Sequence, residues 1–282
     1  MMSVIRYENI PVSMPRNDVG GGKKYIAPAT NVSISHGAKL TDYRLLTPNT
    51  LPETRIAGNT DTKITMSFPL CNKFASNNSL FDSYNFGSGV FANLTGTGNA
   101  DITIGGRVFS GCYLEQLSID IAPFQAATMS ASFTCTNAPT GLTMLSGSSV
   151  AETGMTNKFA YGHFAQISGA SNYSSSIHSS ISFSLDLKRT YSYAISKRNA
   201  NIVFLDEATK QLQIKATNIN NFINESGSSS SFSVDLKNEL GEFVLPSGTL
   251  STSSRGKLNA QNLTSSPPNI LMADVTINEP LL

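Results

Sequence analysis

The sequence predicts a mainly β protein built from two tandem modules of β-sandwich or barrel type, each with a short helix. Three observations lead to this prediction. Apolar and polar residues alternate over several stretches, as they do in strands with one face on a core. Charged residues make up only 14% of the 282 residues, against about 25% in typical globular domains. The order of the strand patterns also occurs twice along the chain.

The clearest strand patterns lie between Asp101 and Cys135. The Gly105-Gly106 pair accepts positive φ and predicts a tight hairpin turn, and two further strands follow it. The predicted core row is Leu117, Ile119, Ile121, Met129, Ala131 and Phe133. The alternate positions carry hydroxyl groups, and they form a candidate channel lining or inter-subunit face: Ser118, Ser130, Ser132 and Thr134.

The N-terminal half divides into an arm and a first module. Residues 1–27 lack a sustained period and contain Pro11, Pro15 and a Gly20–Gly22 run, so they predict an extended arm that reaches a neighbouring subunit. The first module covers residues 28–145, with strands in 31–46 and 63–68. Its loops are expected at 47–59 and 87–99, and a short helix at 79–84, capped by Asn78 or Ser79.

A linker rich in glycine and serine, residues 146–158, separates the second module, residues 159–282. Its strongest strand signal is the alternation from Ile181 to Lys188. Another short helix is expected after Thr217 or Asn218, ending at Gly227. Residues 255–268 are expected to form a loop, and an alternating strand from Leu271 to Ile277 closes the chain.

Four stretches of the first half correspond in order to four of the second. NVSISHGAKLTDYRLL corresponds to HSSISFSLDLKRTYSYAI, and KITMSFPL to QLQIKATNI. DITIGGRVF corresponds to SVDLKNELGEFVL, and ATMSASFTC to NILMADVTI. Identity within each pair is low, so the shared order carries the inference. It predicts two copies of one small β module packed side by side.

The stretch ADITIGGRVFSGCYLEQLSIDIAPFQAATMSASFTC resembles the strand pattern of bacteriophage tail tube proteins. The second half, from SSISFSLDLKRTYSYAI to ILMADVTINEPLL, resembles a second copy of that module. The resemblance covers roughly residues 28–282 and implies a duplicated tail tube (major tail) protein of a long-tailed phage. It rests on the order of strands, because the family has no catalytic residues to carry over.

The resemblance also implies the partners. Three copies would form a pseudo-sixfold ring, or six a hexamer, and the rings would stack around a channel. Genomic DNA would pass through that channel during ejection without sequence-specific binding. Other phage tail proteins would join the tube, and no membrane is involved. The protein would reside in the virion after assembly in the host cytoplasm.

Catalytic chemistry has little support in the sequence, and we predict a structural protein rather than an enzyme. The three histidines, His36, His163 and His178, lack the spacing of metal ligands, and no G-x-S-x-G motif is present. The glycine run before Lys23-Lys24 does not match the phosphate-loop pattern. We therefore predict no catalytic residue, no cofactor-binding residue, no metal site and no cofactor.

Cysteine and charge usage point the same way. Cys71, Cys112 and Cys135 show no metal-binding spacing and are interpreted as small buried side chains. The net charge of +1 gives no basic surface for free nucleic acid. Lys188-Arg189 and Lys197-Arg198 bracket TYSYAIS, where a solvated hairpin with inter-subunit ion pairs is expected. No signal peptide or membrane-spanning run is expected either.

Two other functional classes remain open at this point. One is a different ring of the same particle, such as a distal tail or baseplate protein, a tail terminator or another capsid-associated protein. The other is a carbohydrate-binding β-sandwich, which would need aromatic platforms. The absence of tryptophan counts against the second class, although nine tyrosines are present.

Overall fold

A computed structural model describes residues 12–15, 23–25, 30–43, 54–69, 98–141, 166–169, 178–195, 197–216, 232–235, 250–251, 257–266 and 270–280. All regular structure in these ranges is β, which confirms the predicted class. The strands are β1 Val12–Pro15, β2 Lys23–Tyr25, β3 Asn31–Tyr43, β4 Thr54–Pro69, β5 Ala100–Ile104, β6 Arg107–Ile121, β7 Thr128–Cys135, β8 Thr140–Gly141, β9 Gln166–Gly169, β10 His178–Ser192, β11 Ile202–Ala216, β12 Phe232–Asp235, β13 Leu250–Ser251, β14 Lys257–Ser266 and β15 Ile270–Pro280. The two predicted helices lie outside the described residues.

Eight strands form one continuous antiparallel sheet in the order β3-β4-β7-β6-β10-β11-β15-β14. A second branch of this sheet leaves the start of β6 through β5, β1 and β2. A separate three-stranded sheet has the order β13-β12-β9. Two segments of the predicted N-terminal arm, β1 and β2, thus lie in the large sheet, and Val12 is buried.

The long strand β6 is the centre of the sheet because both of its edges are occupied. One edge pairs with β7 and β8. The other pairs with β5 up to Cys112 and with β10 from Gln116 onwards. Gly111 has a φ of 66°, a backbone conformation that a side chain disfavours. A Cβ at this position would also lie 2.9 Å from the Thr136 hydroxyl.

Alternation along these strands places one row of side chains in a core, since successive residues point to opposite faces. All six predicted core residues of β6 and β7 are at most 3% exposed, which confirms that prediction. One row of directly opposed apolar residues crosses seven strands: Phe68, Met129, Ile119, Phe183, Leu212, Ile277 and Leu258. Cys112 and Cys135 are buried, as predicted, and a disulfide joins them across β6 and β7. Cys71 lies outside the described residues.

Two loop predictions were wrong. Most of the predicted loop 255–268 is strand β14, and β4 begins at Thr54, inside the predicted loop 47–59. Both segments are rich in Thr and Asn and lack a clear period of two. They are extended because β15 and β3 supply the backbone hydrogen-bonding partners, and this tertiary pairing overrides weak local propensity.

The same pairing order occurs in each half of the chain. In the first half, the hairpin β3-β4 is followed across the sheet by β7 and then β6. In the second half, the hairpin β10-β11 is followed by β15 and then β14. The side branches agree in one strand pair, since β1 pairs with β5 as β9 pairs with β12. They differ in that β5 joins the large sheet through β6, whereas β12 belongs to the separate sheet.

Two register irregularities also recur at matching places. Equivalent rows are Ser33, Thr65, Ser132 and Gln116 in the first half and Ser182, Gln213, Thr276 and Ala260 in the second. The register shift within each hairpin ends at Leu40 on β3 and at Arg189 on β10. Each lies seven residues after the first member of its row, Ser33 or Ser182. The second register shift lies between β6 and β7 in the first half and between β14 and β15 in the second. It ends at Gln116 and at Ala260, which are the last members of their rows. β-Bulges insert a single residue and bend a strand locally, so the halves share these two irregularities. A further shift, between His178 and Ser180 in β10, is not repeated in β3.

Candidate functional site

The sheet presents a polar face opposite its apolar core rows. One row of directly opposed residues on this face crosses eight strands and contains one ionisable side chain, that of Lys257 at its end on β14. Its members are Asn31, Ser67, Ser130, Ser118, Ser184, Gln211, Asn278 and Lys257. We call the side of the sheet that carries this row the polar face.

The rows on either side of this one are also nearly uncharged from β3 to β15. They are Ser33, Thr65, Ser132, Gln116, Asp186, Thr209 and Pro280 on one side, and Pro69, Thr128, Asp120, Ser182, Gln213 and Thr276 on the other. Asp120 and Asp186 are the ionisable residues among these thirteen flanking positions. Together with Lys257, the three rows carry two acidic side chains and one basic one.

Short side chains on the polar face bind one another across strands. The hydroxyl oxygens of Ser67 and Ser130 are 2.7 Å apart, and Ser182 donates a hydrogen bond of 2.9 Å to Asp120 on the neighbouring strand. Of the predicted hydroxyl row, Ser118, Ser130 and Ser132 are half-buried. Thr134 is 3% exposed, which does not fit a residue that lines a channel, and its hydroxyl lies near Tyr191 of β10.

The junction between the two halves lies where β10 replaces β5 beside β6. The last pair of β5 with β6 involves Cys112, and the pairs with β10 begin at Gln116. In this gap the Arg189 Nε donates a hydrogen bond of 2.9 Å to the Leu114 carbonyl. The guanidinium carbon also lies 5.5 Å from the centre of the Tyr113 ring, within cation–π range. Arg189 thus binds β6 at the point where β10 backbone pairing stops.

Tyr191 continues this cluster one step further along β10. Its hydroxyl donates a hydrogen bond of 3.0 Å to Glu115 Oε1, and its ring meets the Tyr113 ring edge-on at 6.2 Å. Burial, and next the Glu115 carboxylate, raise the pKa of Tyr191. Burial also lowers the pKa of Arg189, against the smaller opposing effect of Tyr191, Tyr113 and Glu115. We call Tyr113, Glu115, Arg189 and Tyr191 the junction cluster.

The raised pKa of Tyr191 predicts a loss of stability at alkaline pH. The phenol is neutral in both states below the unfolded pKa of about 10, so its contribution is complete there. Above that pH the unfolded chain releases the proton first, and the free energy of unfolding falls as pH rises towards the folded pKa.

Urea unfolding across the alkaline range, together with the tyrosinate absorbance, measures this effect. Native protein should contain a tyrosine that ionises later than it does in the unfolded chain. Tyr191→Phe should remove that late step and flatten the decline of stability. An unchanged titration curve in the variant would contradict the assignment.

Beyond Tyr191, the tip of the β10-β11 hairpin contacts the first half of the chain. Tyr193 donates to both carboxylate oxygens of Asp61, at 3.1 and 3.2 Å, and Asn199 donates to Asn137 at 3.3 Å. The same tip exposes large apolar side chains, Ile195 at 98%, Phe204 at 51% and Ile202 at 49%.

The prediction of a solvated hairpin is wrong for Arg189, which is half-buried in the junction cluster. Its neighbour Lys188 is exposed and forms an ion pair of 3.9 Å with Glu207 of the same hairpin. An exposed pair of this kind contributes at most about 1 kcal/mol. Lys197 and Arg198 are exposed at the hairpin tip.

The histidines that the structure describes lie apart from one another. His36 Nδ1 lies 2.7 Å from the Thr62 hydroxyl, His178 begins β10, and His163 lies outside the described residues. In the ranges that the structure describes, no three His, Cys, Asp or Glu side chains are placed to hold a metal. The same ranges contain no helix with the length and hydropathy of a membrane span.

Comparison with known proteins adds no family assignment. No protein-family model matches the chain, and no curated protein matches it.

Proposed function

We propose that the chain is a structural subunit of the tail tube of a long-tailed bacteriophage, assembling with copies of itself into stacked rings around a DNA channel. The observation that carries this proposal is the repeated pairing order with its two coincident bulges. Under this proposal the chain contains two equivalent four-stranded units, and the pairing of β6 with β10 joins them edge to edge. A unit that joins its own equivalent in this way can continue the same joint around a ring.

The composition of the polar face supports the proposal that this face lines the channel. Double-stranded DNA is a dense polyanion, and proteins hold it chiefly through Lys and Arg contacts to phosphate. The central rows of this face carry hydroxyls, amides, two carboxylates and a single lysine, Lys257, and so offer DNA few such contacts. We propose that these rows line the channel, so that DNA moves past them without being held.

The tandem-module organisation of tail tube type belongs to this proposal too. Under it, β3-β4-β7-β6 is the main sheet of the first module, and β10-β11-β15-β14 is that of the second. An exposed edge strand is an aggregation hazard in a monomer. Closure into a ring removes that edge, which gives a physical reason for a chain with two long edge strands.

Electron microscopy of the purified protein at rising concentration tests the proposal. The expected result is stacked rings with a central channel, lengthening into tubes. A protein that stays monomeric at high concentration, with and without phage tail proteins, would contradict it. Copy number in virions then separates a tube protein, present in many rings, from a tail terminator or baseplate protein, present in one.

A further inference from the structure

The two outer strands of the eight-stranded run are the equivalents of the two strands that join the halves. β10 follows the geometry of β3, and β6 follows that of β14, since their pairing order and bulges coincide. Inside the chain, β6 and β10 pair along one edge. Among the described residues, β3 pairs with β4 and β14 pairs with β15, so each has one edge without a described partner. We infer that β3 of one copy pairs antiparallel with β14 of the next copy.

The register of the β3–β14 joint follows from the register of β6 with β10 inside the chain. The inference rests on the proposed ring. Ser184 lies opposite Ser118, and Ser182 opposite Asp120. Ser35 and Ser33 are the equivalents of Ser184 and Ser182 on β3, and Asn262 and Thr264 are those of Ser118 and Asp120 on β14. The joint between copies therefore places Ser35 opposite Asn262, Ser33 opposite Thr264 and Ile34 opposite Leu263.

Burial along β3 agrees with a missing neighbour. Val32 and Ile34 are partly exposed in the single chain. Their equivalents on β10, Ile181 and Phe183, are 4% and 1% exposed because β6 lies beside them. The predicted register sets Leu263 of the next copy beside Ile34, as Ile119 lies beside Phe183. Small polar residues face each other on the other side, and this continues the polar face across the joint.

The stagger at the internal joint is compatible with a closed barrel. The row of directly opposed residues that starts at Ser33 ends in the first half at Gln116, and Gln116 lies opposite Asp186 of β10. The residue of β10 equivalent to Ser33 is Ser182, so the row is displaced by four residues when it enters the second half. A shift of four residues for every four strands gives a strand tilt of about 35° at the usual strand spacing, inside the range of closed barrels. Three copies with eight strands each would enclose a barrel roughly 45 Å across between opposite backbones.

The joint between copies lacks the junction cluster. The positions equivalent to Arg189, Tyr191, Tyr113 and Glu115 carry Leu40, Asp42, Lys257 and Asn259. The internal joint thus has a guanidinium contact and an aromatic pair that the other joint does not have. We expect rings to dissociate at β3–β14 and release intact folded chains.

Paired cysteines test the register. Ser35→Cys with Asn262→Cys places two thiols directly opposite, where Cβ atoms of opposed residues are about 5 Å apart. The matched control, Ser35→Cys with Thr264→Cys, puts the thiols on the same face two residues out of register, about 7–8 Å apart. After mild oxidation of assembled material, denaturing gels without reductant and peptide mass spectrometry identify the crosslinked pairs, with the unmodified chain treated in parallel.

The in-register pair should crosslink between chains at least tenfold more efficiently than the control, and the largest covalent species should contain three chains. Rings that form without a disulfide between positions 35 and 262, or with equal linking in both variants, would overturn this register and leave the proposed function standing. A chain that never assembles would overturn both. A largest species of six chains would keep the joint and replace the three-copy ring.

Discussion

Replacing Phe183 with alanine is expected to lower the free energy of unfolding by about 3–5 kcal/mol, the usual range for a buried phenylalanine. Phe183 is 1% exposed. It lies on β10 between Ile119 of β6 and Leu212 of β11, in the apolar row that crosses from one half of the chain to the other. Its removal leaves a cavity where the two halves meet.

The matched control is Phe204→Ala on the same hairpin, where the ring is 51% exposed. Urea denaturation of both variants measures the difference. The control should lose less than about 1 kcal/mol, because the ring is already half in water. Similar losses in the two variants would show that Phe183 does not belong to a packed core at the internal joint.

Replacing Arg189 with alanine is expected to cost about 1–3 kcal/mol, because it leaves the Leu114 carbonyl without its charged donor in a partly buried gap. The contact with the Tyr113 ring is lost at the same time. Arg189→Lys should recover only part of the loss, since an ammonium group cannot reproduce the planar guanidinium at this position.

Lys188→Ala is the control for charge alone. Lys188 precedes Arg189, is 75% exposed and takes part in a surface ion pair, so its loss should change stability by at most about 1 kcal/mol. Hydrogen exchange at β6 and β10 separates local from global effects. Arg189→Ala should speed exchange at residues 114–116 and 186–189 most. Uniform acceleration over the whole sheet would contradict a local role at the joint.

Much of the sheet could be predicted from the sequence because alternation is a local signal. The residues from Asp101 to Cys135 show this best, since each predicted core residue there is buried. The correspondence between the halves also came from local patterns, and the observed pairing of β3 with β4 and of β10 with β11 follows the proposed order. Strand β14 could not be predicted in this way. Its sequence, KLNAQNLTSS, becomes extended through pairing with β15.

The junction cluster was also beyond sequence reasoning. Arg189 and Tyr191 share one parity on β10, but nothing local shows that Tyr113 and Glu115 lie beside them, more than 70 residues earlier in the chain. Arg189 therefore resembled a solvated surface residue. The burial of Thr134 has the same cause, because it depends on where the end of a distant hairpin lies. A weak signal existed in the aromatic residues interleaved with Arg189.

In the proposed assembly, two equivalent units in each chain repeat one edge-to-edge joint around a closed ring. Cryo-electron microscopy of isolated rings, with rotational averaging and a mass measurement, tests this assembly most directly. Six similar lobes around a channel are expected, with a mass of three times the chain mass of 30.1 kDa. Rings without sixfold pseudosymmetry, or a protein that remains a single 30.1 kDa chain at every concentration, would contradict it.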